Sequence, residues 1–233
     1  MSITRKVVSL CTGIFLTTTA SPILADVLPT NGSANKDDDK GFYLTVGVGY
    51  HHLQNEKAKA GPDSEVTEGE TIIDQFDGGY GIETGLGYDF GNIRTELTYK
   101  LIDNELKSAY LGNLGSTTSA SGSVDAHLYL LSAYYDLKTS SRVKPYFGGG
   151  LGFGNLVIRD ITETTSSGTL TTADDDVDVF AYHGKIGASY LANEKTDIFL
   201  EGVITRTDEF KYASNSYDPL TDIGVNLGIR YRF

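Results

Sequence analysis

The chain has a single cysteine among its 233 residues, Cys11, and it lies within the first 25. Everything after that segment therefore lacks a thiol, which excludes a disulfide framework and a thiolate metal site. Long apolar runs are missing too. The uncharged, largely apolar stretch at residues 7–20 falls short of the roughly 20 residues a spanning helix needs, and no later stretch comes close. Basic residues are scarce, 19 against 31 acidic ones, and they form no stripe. Such a surface repels phosphate backbones, so nucleic acid is not an expected partner. What the chain does have is apolar, aromatic and glycine content (39%, 11% and 27 glycines) too high for a disordered polymer, at a length that allows one or at most two domains.

The N-terminus reads as a secretory signal peptide: Arg5 and Lys6, the apolar stretch, Pro22, then the small-residue site Ile23-Leu24-Ala25 before Asp26. Cleavage after Ala25 is expected. A lipoprotein would be cut just before Cys11, but the small residues such a site wants do not flank it. Losing Arg5 and Lys6 leaves 17 basic against 31 acidic residues, a net charge of −14. Residues 26–40, with Asn31-Gly32-Ser33 and Asp37-Asp38-Asp39-Lys40, have almost no apolar content and read as a flexible leader, so folded structure is expected over 41–233.

From Gly41 onward the dominant rhythm is period two, the mark of strands with two chemically different faces. The last segment is the clearest. Ile223, Val225, Leu227, Ile229, Tyr231 and Phe233 alternate with Asp222, Gly224, Asn226, Gly228, Arg230 and Arg232. Phe42, Leu44, Val46, Val48 and Tyr50 alternate likewise with Tyr43, Thr45, Gly47, Gly49 and His51. Two further runs, from Tyr80 to Phe90 and from Ile93 to Leu101, flank a Gly91-Asn92 turn signal and read as a hairpin. Strand four is expected near 124–136, with Ala126, Leu128, Leu130 and Tyr134 on the apolar face and Asp125, His127 and Tyr129 on the other, although Leu131 and Ala133 blur the contrast. Strands near 144–154, 178–190 and around Ile198, Leu200 and Ile204 bring the count to eight. Links at 91–92, 137–143 and 191–196 are short, whereas those at roughly 53–78, 103–123, 155–177 and 207–221 are long, as in an outer-membrane barrel.

Eight up-and-down strands also describe a lipocalin-like carrier, whose apolar residues point inward. Here the polar face carries Glu83, Arg94, Glu96, Lys100, Lys185, Glu201, Arg230 and many glycines. That mixture can fill a narrow interior. The apolar face ends in aromatics at Tyr50, Tyr80, Tyr88, Phe90, Tyr134, Tyr190 and Phe233, placed as interfacial girdles. In water such a face would aggregate. The reading is an all-β, eight-stranded antiparallel up-and-down transmembrane β-barrel with lipid outside.

The signal peptide ending at Ala25, the opening strand Gly41-Phe42-Tyr43-Leu44 and the ending Gly228-Ile229-Arg230-Tyr231-Arg232-Phe233 resemble the opacity-protein and OmpA-transmembrane-like family of small outer-membrane barrels, over residues 41–233. The resemblance implies a cell outer-membrane location, contact with the lipid bilayer and lipopolysaccharide, and insertion by the barrel-assembly machinery. Ile229, Tyr231 and Phe233 look like the C-terminal signal that machinery reads. No cofactor is implied, and no ligand, because members vary in their loops.

Candidate sites follow from the polar face. Glu83, Arg94, Glu96, Lys100, Glu201 and Arg230 are expected to form an interior charge network, either as internal salt bridges or as the lining of a narrow pore. His127 and His183 fall on the expected interior face with Asp125 near His127, but no serine partner is identifiable for hydrolytic chemistry. His51-His52 would point to opposite faces and reads as a rim position. Glu65, Glu68, Glu70 and Asp74, and Asp174, Asp175, Asp176 and Asp178, offer carboxylates to Ca²⁺ or Mg²⁺ but lack the spacing of a calcium loop, so they read as solvated acidic loops. Two long loops rich in serine, threonine and glycine (115–119 and 164–168) predict exposure and mobility; the fourth, with Phe210, Tyr212 and Tyr217, is the candidate for contacting an extracellular partner. The chain reads as a non-enzymatic surface barrel for envelope structure and loop-mediated adhesion. A narrow channel for small or apolar solutes is the alternative, and a lipid-modifying enzyme a third reading.

Overall fold

A computed structural model describes residues 40–54, 56–59, 71–111, 116–165, 168–171, 175–212 and 215–233. Eight long strands dominate: β1 Gly41–Leu53, β2 Gly79–Asp89, β3 Ile93–Leu111, β4 Ser116–Asp136, β5 Val143–Thr165, β6 Asp175–Asn193, β7 Thr196–Thr207 and β8 Thr221–Arg232. Each pairs antiparallel with the next, and β8 returns to β1 with Gly47 opposite Gly228 and Tyr50 opposite Val225. The ring is closed. No strand edge is left to lie unpaired in hydrocarbon, which is why a sheet can span lipid only in this form.

The period-two pattern becomes inside and outside. In β8 the outward Ile223, Val225, Leu227 and Ile229 are about half exposed, whereas Asp222, Asn226, Arg230 and Arg232 between them are buried. At the β2–β3 turn, Phe90 N–H donates to the Ile93 carbonyl at 2.9 Å, enclosing the two residues Gly91 and Asn92. Gly91 sits at φ +108°, a left-handed conformation that favours glycine, and its N–H donates to Asp89 Oδ1 at 2.7 Å.

Strand four corrects the expected faces. Leu128, Leu130 and Tyr134 are buried inside, and Tyr129 and Leu131 face outward. Tyr134 is thus an interior residue and not part of a girdle. His127 lies outside as well, its Nδ1 2.8 Å from Tyr99 Oη, and Asp125 shares that face opposite Asp103, covered by Arg159 with Nη1 at 2.7 Å from its Oδ2. The run has apolar residues at odd and even positions alike, so alternation alone could not decide which set faces in.

The long connections continue as paired strands where loops were expected. β3 and β4 stay in register past a shift near Leu106–Ser108 out to Leu111 and Ser116, and β5 runs to Thr165 before pairing with Gly168–Thr171. Beyond β7, Phe210–Tyr212 forms a hairpin with Asn215–Tyr217; that strand pairs with Glu56–Lys59, which pairs with Thr71–Phe76, which joins the outer part of β3. The long-loop end therefore carries a paired sheet crown. The short turns lie at the opposite, periplasmic end. Ala25, the leader up to residue 39, Glu65, Glu68, Glu70 and Asp174 lie outside the described residues.

Candidate functional site

The interior is filled in tiers, starting at the short-turn end. Arg94, at the start of β3, donates through Nε to Asp136 Oδ2 (2.6 Å) and through Nη2 to Oδ1 (3.1 Å). Its guanidinium lies 4.9 Å from the Tyr134 ring centre and 5.0 Å from that of Tyr146, both close enough for cation–π attraction. Asp197, beside the β6–β7 turn, accepts from Arg230 Nη1 (3.3 Å) and Arg232 Nη1 (3.1 Å).

The middle tier centres on Lys185 of β6. Its ammonium donates to Glu83 Oε1 and Oε2 (2.8 and 2.9 Å) and lies 2.6 Å from Glu201 Oε1. Tyr146 Oη donates to Glu201 Oε2 at 2.7 Å, and Asn226 Nδ2 donates to Glu201 Oε1 (3.0 Å) and Glu83 Oε2 (3.3 Å). One cation holds two carboxylates, and neutral donors add three further hydrogen bonds to them. That is the condition under which buried ions are tolerated.

Above it, Lys100 Nζ donates to Thr205 Oγ1 (3.1 Å) and lies 3.8 Å from Asp222 Oδ2. His51 bridges this tier to the middle one. Its Nδ1 is 2.8 Å from Asp222 Oδ2 and its Nε2 3.0 Å from Asn226 Oδ1. His51 is not the rim residue expected, for only 1% of it is exposed, whereas His52 faces out. Gly224 of β8 makes room for the ring: a Cβ there would sit 2.4 Å from His51 Nδ1.

Of the six residues singled out in the sequence, Glu83 and Glu201 meet through Lys185; Arg94 and Arg230 each bind an aspartate, and Lys100 approaches one. Glu96 accepts from Thr98 Oγ1 at 2.8 Å. Sequence reasoning missed Asp136 and Asp197 because each sits beside a short turn, where an aspartate reads as turn chemistry. For Asp197 the signal was parity, since it lies two residues from the inward Phe199 and four from Glu201; Asp136 shares the parity of Tyr134, which the sequence placed on the outer face, so it carried no such signal.

His183 is inside, and Ser132 Oγ lies 2.9 Å from its Nε2, a serine partner the sequence did not reveal. Among the described residues His183 Nδ1 has no hydrogen-bond partner, so no described carboxylate orients the ring as a hydrolase triad requires. Among the described residues, no three His, Cys, Asp or Glu side chains converge as a metal-ligand group; Asp175 and Asp176 are exposed, and Asp176 accepts from Asn155. Phe210 is buried and stacks on Tyr217, with ring centres 5.1 Å apart and planes 5° from parallel, so two of the three expected contact aromatics pack on each other.

Above the charges the interior turns apolar. Leu128, Leu130 and Ala181 form one cluster, and Leu53, Phe76, Leu106, Val124, Leu156, Phe210 and Leu220 belong to another reaching the crown. The outer wall carries the aromatic pairs Tyr50–Tyr80, Phe42–Tyr88 and Tyr231–Phe233, all in edge-on contact.

Comparison with known proteins agrees with this geometry. Outer membrane protein PagN of Salmonella typhimurium is 24% identical over 231 residues, an alignment spanning 86% of this chain and 93% of PagN. The crystal structure of Neisserial surface protein A superposes with a TM-score of 0.52 at 18% identity, over 83% of this chain and 97% of that one. OprG from Pseudomonas aeruginosa gives 0.50 at 15% identity (83% and 97%), and the outer membrane protease OmpT from Escherichia coli 0.52 at 7% (84% and 98%). At these identities the three structures show the shared fold alone. The model of the outer membrane protein beta-barrel domain matches residues 23–233. With its closed eight-stranded ring, lipid-facing apolar wall and charged interior, the chain belongs to the outer-membrane β-barrel family and resides in the outer membrane.

Proposed function

We propose that the chain is a non-enzymatic surface barrel that stiffens the cell envelope and presents its crown for adhesion or other extracellular contact. One observation carries this reading: the interior is filled by paired charges below and apolar side chains above, so the crown is the part offered to the surroundings. A bidentate Arg94–Asp136 pair and a doubly engaged Lys185 lie across the interior a solute would have to cross, which weighs against the channel alternative. The unpartnered His183 Nδ1 weighs against hydrolytic chemistry. Lipopolysaccharide is the neighbour such a wall would meet in the outer leaflet.

The test is adherence of bacteria displaying the full chain to cultured host cells, alongside bacteria whose crown hairpin, residues 208–219, is replaced by a two-residue turn. Binding should fall to background with the shortened chain while a heat-modifiable band remains in the outer-membrane fraction. Equal adherence by both strains would refute contact through the crown, and single-channel steps from purified protein would restore the channel reading.

Assembly is proposed to depend on the last strand. Ile229, Tyr231 and Phe233 all face outward, and Phe233 N–H donates to the Phe42 carbonyl at 3.1 Å, so the terminal residue sits at the closing seam. Phe233→Ser is expected to reduce the folded band in the outer membrane several-fold while unfolded chain accumulates in the periplasm. An unchanged band would dissociate Phe233 from assembly.

A further inference from the structure

The His51 ring lies between two glycines: a Cβ at Gly81 of β2 would sit 2.6 Å from its Cδ2, and one at Gly224 of β8 2.4 Å from its Nδ1. Both ring nitrogens face oxygen. Nδ1 is 2.8 Å from Asp222 Oδ2, and Nε2 is 3.0 Å from Asn226 Oδ1. The other end of the Asn226 carboxamide fixes which way round it sits. Its Nδ2 donates to Glu201 Oε1 at 3.0 Å and to Glu83 Oε2 at 3.3 Å, whereas an oxygen turned towards those carboxylates would meet acceptors alone. His51 therefore meets the oxygen. Carboxylate and carboxamide oxygens accept and do not donate, and a neutral imidazole has a single N–H to offer them. The imidazolium has two.

The charges around the ring point the same way. Lys100 of β3 stands 3.8 Å from Asp222 Oδ2, and Lys185 of β6 contacts Glu83 of β2 and Glu201 of β7. Two lysines face three carboxylates. Glu83, Glu201 and Asp222 are 4%, 4% and 5% exposed, so the surplus negative charge would be buried without a counter-ion, at a heavy cost. A protonated His51 balances the set. We propose that His51 is a doubly protonated imidazolium in the folded barrel, the third cation of its middle and upper tiers, and that it makes the stability of the barrel sensitive to alkaline pH. In an unfolded chain histidine releases its proton near about pH 6.5. Above that value the chain must take up a proton to fold, so stability falls as the pH rises.

The test uses the mature chain with ¹⁵N-labelled histidine, folded in lipid nanodiscs. At about pH 7.5, where a free imidazole is mostly neutral, both His51 ring nitrogens should carry a proton, seen as two one-bond ¹H–¹⁵N correlations and assigned through contacts with the Gly81 and Gly224 protons. A bare nitrogen would overturn the proposal. His51→Gln, which cannot carry the charge, should unfold in vesicles with an equilibrium constant at least about tenfold above the parent's at about pH 6, and that gap should narrow at least about tenfold by about pH 9. A gap constant over this range would equally overturn the proposal, because loss of packing alone has no pH dependence. Should the variant fail to fold, the nitrogen spectrum of the unaltered chain decides alone.

Discussion

Replacing Lys185 with methionine should lower the stability of the folded barrel by about 3–5 kcal/mol, the cost of leaving buried carboxylates without their counter-ion. Glu83 and Glu201 are each 4% exposed, and the Lys185 ammonium is the cation in contact with both. Without it two negative charges face each other across the barrel axis, with Asn226 and Tyr146 as the remaining donors. The readout is the urea midpoint of the heat-modifiable band in lipid vesicles. A triple variant, Lys185→Met with Glu83→Gln and Glu201→Gln, removes the charges together and should recover most of the loss. If the single variant melts with the parent protein, the tier is not holding the barrel as described.

Leu200→Arg probes the outer wall. Leu200 faces outward at mid-strand in β7, 57% exposed, between Ala188 and Leu227 on the neighbouring strands. In hydrocarbon, an arginine at mid-depth costs about 2–4 kcal/mol, falling towards zero near the interfaces. The chain already follows that gradient, since Arg206 of the same strand faces outward six residues nearer the crown. Leu200→Arg should reduce unfolding free energy in vesicles by this amount, whereas a wall facing water would accept the change with no loss. A neutral outcome would therefore refute the lipid-facing assignment of this surface.

Much of the architecture was legible because the alternation of side chains along a strand is a local property. Ile223 to Phe233 against Asp222 to Arg232 states two faces without reference to any other segment. It failed where both parities were apolar. β4 carries Leu128, Leu130 and Leu131 together, and the structure puts the first two inside and the third outside. The Ser- and Thr-rich runs of β4 and β5 looked like loops because their composition favours turns, yet ladder hydrogen bonds to neighbouring strands keep them extended. For His51 the face was readable and the environment was not: nothing within strand one announces an aspartate 171 residues later.

By itself, the sequence determined the number of barrel strands, the charge of one face, the apolarity of the other and therefore the solvent each requires, since these follow from residue type and period. The tertiary structure alone decided which charges meet. Lys185 and Glu83 stand 102 residues apart, and the Arg94–Asp136 pair spans the β3–β4 hairpin. Such pairings depend on the stagger with which strands register as the sheet closes on itself, a property of the whole ring and of no single strand.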